Sequence, residues 1–403
     1  MEDRFDVLII GGGLVGASLA IALDDAGFDV ALAEAVPPRL DLQPSYDERN
    51  LALSRVSVNA LQALGVLDSA TPATPIRRIH VSRRGDFGAV RMDAAELGLP
   101  AFGAVLPARE LGNALLQRLD RCRRLGRIAP AKAVSSAAGD DAVEVELQSG
   151  ETTRRVRTRL LVGADGTASF VRSACGIGAR TTDYAQSAFV TTVTVEKPLD
   201  GTAWERFTDS GPVALLPLGD YRAGLVLTVP AADAARVAAL DDEAFLAFVH
   251  ERFGWRAGRF SRPGARKPYP LSRLLAERTV APRTVLVGNA AQTVHPIGAQ
   301  GFNLGLRDAL TLAELLREAT TAGSDPGAAA LLARHVERRT PDRDATTAFS
   351  DELVRWMGSE FLPMRLLRSF GFHALDRIAP LKRRFALRGM GFRGDVPALG
   401  LTR

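Results

Sequence analysis

Residues Thr284 to Asp308 read TVLVGNAAQTVHPIGAQGFNLGLRD. The apolar opening, Val285 to Val287, has the pattern of a buried strand and changes character within two residues. Gly288 and Asn289 mark a sharp exit, and the loop beyond carries His295, Pro296, Gly298, Ala299 and Gly301. From about Phe302, Leu304, Leu306, Leu310 and Leu312 recur among polar positions in a helical pattern. A strand, a glycine-rich loop and a helix start leave N–H groups converging where the helix dipole adds partial positive charge. An anion or an electron-rich ring edge fits such a place; a bare strand-to-helix turn is the alternative.

The chain has 403 residues, 46% hydrophobic and 24% charged, which suits two or three globular domains. Charged residues interrupt every apolar run before the roughly 20 residues of a spanning helix, and MEDR at the start is unlike a secretory signal. A cytoplasmic protein is expected. Cys122 and Cys175 have no metal or disulfide spacing, and the five histidines include no pair at ligand spacing, so no metal site is expected. Redox chemistry would need an organic cofactor. The net charge of +5 hints at an anionic partner, but only four of the 51 basic residues are lysine, a coding bias, and no nucleic-acid partner is expected.

Outward from that stretch, Asp6 to Ile10 (DVLII) is a second buried-strand pattern and runs into Gly11-Gly12-Gly13-Leu14-Val15-Gly16, with a helical pattern from Ala17 to Ala26. This is GxGxxG in the context that binds dinucleotides. Gly11 permits the turn, Gly13 lets the backbone approach a pyrophosphate, and Gly16 lets helix and strand pack closely. A strand from Asp29 to Ala33 ends at Glu34, about 20 residues on, where a carboxylate accepts from a ribose. The motif alone leaves FAD and NAD open. Arg49 and Arg109 each precede a helical pattern in apolar surroundings and read as solvated or ligand-facing. A third strand and turn, Leu160 to Gly166, ends in Asp165-Gly166, and a helix with Arg172 follows. Arg78 to Met92 and Ser187 to Val229 alternate in β fashion, as in AFVTTVTV and YRAGLVLTV, which suggests an inserted sheet domain. No second GxGxxG unit, GxSxG, P-loop or HExxH is present.

The three turns, in this order and spacing over residues 5 to 350, resemble the flavoprotein aromatic hydroxylases of the para-hydroxybenzoate hydroxylase type. Closer still is the ubiquinone-biosynthesis hydroxylase family, and within it the methoxyphenol hydroxylases. The resemblance rests on IHVSRRG at 79–85, ERFTDSGPVALLP at 205–217, FGWR at 253–256, VGNAAQTVHPIGAQGFNLGLRD at 287–308 and DRDAT at 342–346.

It implies an α/β fold: a Rossmann-like FAD-binding domain with an inserted, mainly β substrate domain and a helical C-terminus. The expected FAD domain comprises 1–75, 101–180 and 276–340, the substrate domain 76–100 and 181–275, and the C-terminal segment 341–403. Gly11, Gly13, Gly16 and Glu34 would hold the ADP part of FAD, with Asp165 and Gly166 at the centre of the cleft. Arg49 and Arg109 would lie near the flavin, as would Gly288, Asn289, Pro296, Gly301 and Asn303. The broad family opens its third motif Gly-Asp-Ala-Ala-His; here Gly288-Asn289-Ala290-Ala291-Gln292 stands instead, and Asn still hydrogen-bonds a hydroxyl.

The implied reaction uses NAD(P)H and O2 to hydroxylate a polyprenylated methoxyphenol on the way to ubiquinone. Alternatives are a sister hydroxylase acting at another ring position and a non-catalytic FAD-binding subunit of the biosynthetic complex. His295 is a candidate base for the phenol, or a loop-packing residue, and the Pro296 carbonyl is a competing acceptor. Phe361 to Arg393 interleaves eight basic residues and one acid with apolar positions. That composition suits either the inner face of an anionic membrane or a helical pair packed on the FAD domain with its arginines solvated. Pro363, Gly371 and Pro380 are expected to divide it into short helices.

Overall fold

The computed structural model describes residues 3–24, 26–36, 49–68, 71–358 and 361–401. Strand Asp3–Ile10 pairs in parallel with Val30–Ala33 on one side and Thr152–Gly163 on the other; Thr284–Leu286 and Leu125–Ile128 extend the parallel set outward. A strand buried on both faces needs a continuous apolar run, and DVLII supplies one. Val7 and Ile9 enter the core beneath helices Leu14–Asp24, Ala108–Leu119 and Gln300–Thr321. Leu8 and Ile10 enter the opposite core, closed by the antiparallel strands Lys132–Ala138 and Val143–Ser149.

The second sheet runs, edge to edge, Gln292–Thr293, Pro268–Ala276, Ala179–Val195, Arg222–Pro230, Gly211–Pro217, Thr202–Thr208, Arg78–Arg83 and Ala89–Asp93. One face packs Phe189, Leu215, Leu225 and Leu227 against Phe245, Val249 and Phe253 of helix Asp242–Phe253. Asp241 caps that helix by accepting from the Ala244 N–H at 2.8 Å. The other face looks toward the first sheet. The edge strand Gln292–Thr293 belongs to the third glycine-rich stretch, so that loop ties the two sheets together. A small sheet of Asn50–Ser54, Gly103–Pro107 and Thr74–Ile76 lies between them.

The C-terminal segment is divided at both prolines, as expected, but not at Gly371. Pro363 and Pro380 stand in the first turns of helices Leu362–Arg377 and Ala379–Gly389, where no N–H is required, and Gly371 is carried inside the first helix. The helical pair packs on strand Ala89–Asp93 of the second sheet, and its end reaches the first domain, where the Met390 carbonyl accepts from the Val56 N–H at 3.1 Å. Asp86 receives Arg368 at 2.7 Å and Arg365 at 3.4 Å, and a side chain at Gly88 would stand 2.9 Å from the Ser369 carbonyl.

Candidate active site

The first turn is built by close approach. Gly11 has φ +105°, and an added Cβ would lie 2.5 Å from the Ala164 carbonyl oxygen; at Gly16 it would lie 2.0 Å from the Gly11 carbonyl oxygen. Helix Leu14–Asp24 therefore starts directly at the strand end, and the Gly13 carbonyl accepts its first bond, from the Ala17 N–H at 2.9 Å. Glu34 ends strand Val30–Ala33 beside this turn. Its Oε2 accepts from the Gly12 N–H at 2.6 Å and its Oε1 from the Val36 N–H at 2.9 Å.

The second turn packs on the first through the Ala164–Gly11 contact. The Asp165 carboxylate accepts from the Ser169 hydroxyl at 2.5 Å and from the Val171 N–H at 3.1 Å, so it builds the turn and caps helix Phe170–Ala174. Gly166, at φ +79°, has nothing within 4 Å of an added Cβ. Buried Arg172 ties this turn to the third, donating to the carbonyls of Thr167 at 2.9 Å and Ala290 at 3.0 Å.

The third turn closes the group. Gly288 has φ +60°, its added Cβ would meet Val15 at 3.2 Å, and one on Gly305 would lie 2.8 Å from the Gly288 Cα. Asn289 is exposed at the turn. Helix Gln300–Thr321 then begins, with Gly301 open on its exposed side: only Val294, at 3.9 Å, lies near an added Cβ. The Asn303 side chain is fully engaged, its Oδ1 accepting from the Ser54 N–H at 2.8 Å and its Nδ2 donating to the carbonyls of Ala52 at 2.9 Å and Ala299 at 2.7 Å. Only the backbone of Asn303 is left for a ligand. Its amide instead secures strand Asn50–Ser54 against the helix.

Arg49 and Arg109 come together because Asn50 pairs with Pro107 and the Ala108 N–H donates to the Arg49 carbonyl at 2.7 Å. The Arg49 guanidinium carbon lies 5.8 Å from the centroid of the Tyr269 ring, across from the second sheet. Arg109 reaches Glu110 at 3.5 Å.

His295 is 1% exposed. Its Nδ1 accepts from the Ile297 N–H at 3.2 Å, so the ring proton is on Nε2, which faces the Gln186 Oε1 at 3.2 Å. Burial holds its pKa at about 4. Bonded through both nitrogens, the neutral ring ties the loop to the second sheet. Pro296 is exposed next to it, and its carbonyl accepts from the Ala299 N–H at 2.9 Å.

Beneath the loop lies a buried polar network. Gln292 donates to Asp308 at 2.5 Å, Arg339 bridges Asp308 at 2.7 Å and Asp342 at 2.6 Å, and Arg307 meets Asp342 at 2.7 Å. It joins the GLRD and DRDAT stretches, whose partnership neither stretch reveals alone.

Three glycine turns meeting at the carboxyl ends of parallel strands, with the Glu34 carboxylate beside the first turn and an open helix start facing a second sheet, form a dinucleotide-binding cleft. The residues fit FAD on steric grounds, since the packed turns leave open faces at Gly166, where an added Cβ meets nothing within 4 Å, and at Gly301, where it meets only Val294 at 3.9 Å. The profile of the FAD binding domain family matches residues 4–350. Ubiquinone hydroxylase UbiL of Rhodospirillum rubrum is 39% identical over 387 residues, covering 96% of this chain and 89% of that protein. The 3-demethoxyubiquinol 3-hydroxylase of Escherichia coli is 34% identical over 391 residues, covering 96% and 98%. The solved p-nitrophenol 4-monooxygenase PnpA of Pseudomonas putida DLL-E4 superposes with TM-score 0.80 at 20% identity, covering 98% of this chain and 99% of that one. This chain belongs to the FAD-dependent hydroxylase family of ubiquinone biosynthesis and is an FAD-dependent monooxygenase.

Proposed function

We propose that this enzyme inserts one atom of dioxygen into a polyprenylated methoxyphenol, para to its hydroxyl, with NAD(P)H as electron donor. The observation that carries the reading is the half-buried apolar face of the second sheet, which stands across from the third turn and takes a flat, largely apolar ring. Gly11, Gly13 and Gly16 would admit the pyrophosphate of FAD, and Glu34 would accept from its ribose. Arg49, Arg109, Asp165 and Gly166 would flank its centre, with Gly288 and Asn289 on the ribityl chain. The carbonyl of Pro296 and the backbone of Gly301 and Asn303 would meet the ring. Bound there and reduced by NAD(P)H, FAD supplies an electrophilic oxygen derived from O2.

The protein's own contribution is positioning. The N-terminal end of helix Gln300–Thr321 favours negative charge beside it. The His295 strut fixes the loop, and the sheet face keeps water from the ring. A rise in NAD(P)H oxidation on adding a prenylated 2-methoxyphenol, with a product heavier by one oxygen, tests the proposal; oxidation without oxygen insertion refutes it. The name of the Escherichia coli relative favours a second reading, hydroxylation at another ring position, and the substitution pattern of the product separates the two.

The prenyl tail places such a substrate in a bilayer, and a peripheral membrane contact is part of the proposal. No helix among the described residues is long and apolar enough to cross a membrane. The outer side of helix Leu362–Arg377 instead exposes Leu362, Leu366, Leu367 and Phe370, with Phe361 68% exposed at its head. Phe87 stands edge-on to Phe370 at 5.4 Å and extends this ridge. Arg377, Arg383, Arg384 and Arg388 are exposed nearby. An apolar ridge beside arginines complements an anionic lipid surface.

A further inference from the structure

The two faces of the second sheet differ in cover. Phe189, Leu215, Leu225 and Leu227 are fully buried under helix Asp242–Phe253, while Val190, Leu216 and Val226, on the opposite face, are only half-buried. That second face meets the cofactor domain: Gln186 on it holds His295, and an added Cβ on Gly224 would lie 2.6 Å from the Asn50 side chain. Straight across it runs one ladder of paired residues, Val190, Val226, Ala214, Glu205, Val81 and Val90. Five are apolar. Glu205 shares its side of strand Thr202–Thr208 with Ala203 and Phe207, which pack in one cluster with Ile297 of the third turn. Trp204, on the other side, lies with its ring tilted 35° to that of His80, the centroids 4.4 Å apart.

The Glu205 carboxyl makes no hydrogen bond or ion pair among the described residues. Burial alone raises its pKa to about 7. Glu205 is half-buried, so water reaches its carboxyl, and a ligand that displaced this water from the apolar wall would have to satisfy the carboxyl in its place. We infer that Glu205 receives the hydroxyl of the aromatic substrate, accepting its hydrogen bond and then its proton. The phenolic O–H bond breaks, the carboxylic O–H bond forms, and the electron pair left on the phenolate oxygen enriches the ring for attack on an electrophilic oxygen. This role rests on the phenol-hydroxylase reading above. The neighbouring ionisable groups do not compete for the proton. Arg83, on the same face, is held by Asp86 and Asp209, His295 stays neutral, and helix Ala329–Gly358 presents Leu353 and Met357 to this cluster.

The test uses the FAD-loaded full chain with a short-chain 2-prenyl-6-methoxyphenol. Glu205→Gln keeps FAD and binds the phenol within a fewfold of wild type. It hydroxylates at pH 7 about 100-fold more slowly, the range typical of a lost general base. Its rate then recovers toward alkaline pH, where a phenol of pKa about 10 ionises unaided. Glu205→Asp, which keeps a carboxylate, falls between the two. Wild-type rates and pH profile in Glu205→Gln overturn the assignment, and so does loss of FAD by both variants, which marks a structural role. A wild-type enzyme that neither binds nor hydroxylates the phenol refutes the substrate reading first, and this role with it.

Discussion

Replacing Asp342 by alanine is expected to cost the protein more than any surface change, because this carboxylate sits between two guanidinium groups out of water. Asp342 is 0% exposed, Arg307 2% and Arg339 4%; Arg307 donates to it through two nitrogens, and the Thr346 hydroxyl donates to it at 3.2 Å. Burial by itself pushes the Asp342 carboxyl up, but the charges of Arg307 and Arg339 outweigh that and hold it below its ordinary value. Removing one partner of such a cluster leaves buried cations facing each other, a loss of about 3–5 kcal/mol. With an unfolding entropy of about 2.1 cal/mol/K per residue over 403 residues, the midpoint falls by about 4–6 °C if the chain unfolds as one unit. Calorimetry of the FAD-loaded protein reads this directly. The sign with pH follows from the lowered pKa: the contribution is complete above the unfolded value of 3.8 and disappears as pH falls through the folded one. The gap between wild type and variant should therefore narrow below pH 4. Because Arg339 also holds Asp308, and Asp308 holds Gln292 of the third turn, the variant should release FAD more readily. A midpoint within 1 °C of wild type at pH 7, with FAD retention unchanged, refutes the reasoning.

Gly13→Val should give a folded but colourless protein, since a branched side chain would occupy the mouth of helix Leu14–Asp24; full FAD retention on an absorbance spectrum contradicts the cofactor assignment. His295→Ala should keep FAD but raise peroxide release per NAD(P)H consumed, without altering the shape of the rate profile between pH 6 and 9, because the wild-type ring is already neutral there. A lost ionisation in that window restores the base reading. The folded pKa of His295 is depressed to about 4 from 6.5, so the unfolded chain binds the extra proton and stability declines as pH falls from 6.5 toward 4. That decline should be shallower in His295→Gln, and urea midpoints across the range measure it. Replacing the exposed Leu366, Leu367 and Phe370 by serine should leave FAD bound, weaken sedimentation with anionic liposomes, and slow a long-chain phenol more than a short-chain one; equal liposome binding by both forms contradicts the membrane surface.

The glycine turns were legible because each is a local pattern in which strand, turn and helix follow within about a dozen residues, and the close contacts at Gly11, Gly16 and Gly288 leave few other residue types. The breaks at Pro363 and Pro380 are legible for the same local reason, each proline opening a helix in its first turn, whereas Gly371 is carried inside one. The role of His295 lay beyond local pattern, since its bond to Gln186 spans 109 positions and its neutrality comes from burial that only the assembled sheets create. The same holds for Arg307 and Asp342, 35 positions apart.

Glu205 stands between these cases. Strand Thr202–Thr208 alternates Ala203, Glu205 and Phe207 on one phase, so an acid occupies a position where the pattern calls for an apolar side chain, and that violation is visible without coordinates. Its meaning is not. The register places it between Ala214 and Val81, half-buried, on the side whose cluster includes Ile297 and away from helix Asp242–Phe253. A breach of strand alternation acquires a chemical reading only when the opposite wall is known. In this chain Ile297 of the third glycine turn and Met357 of helix Ala329–Gly358 lie in the cluster on that side, and it is on this placement that we assign the proton of a bound phenol to the Glu205 carboxyl.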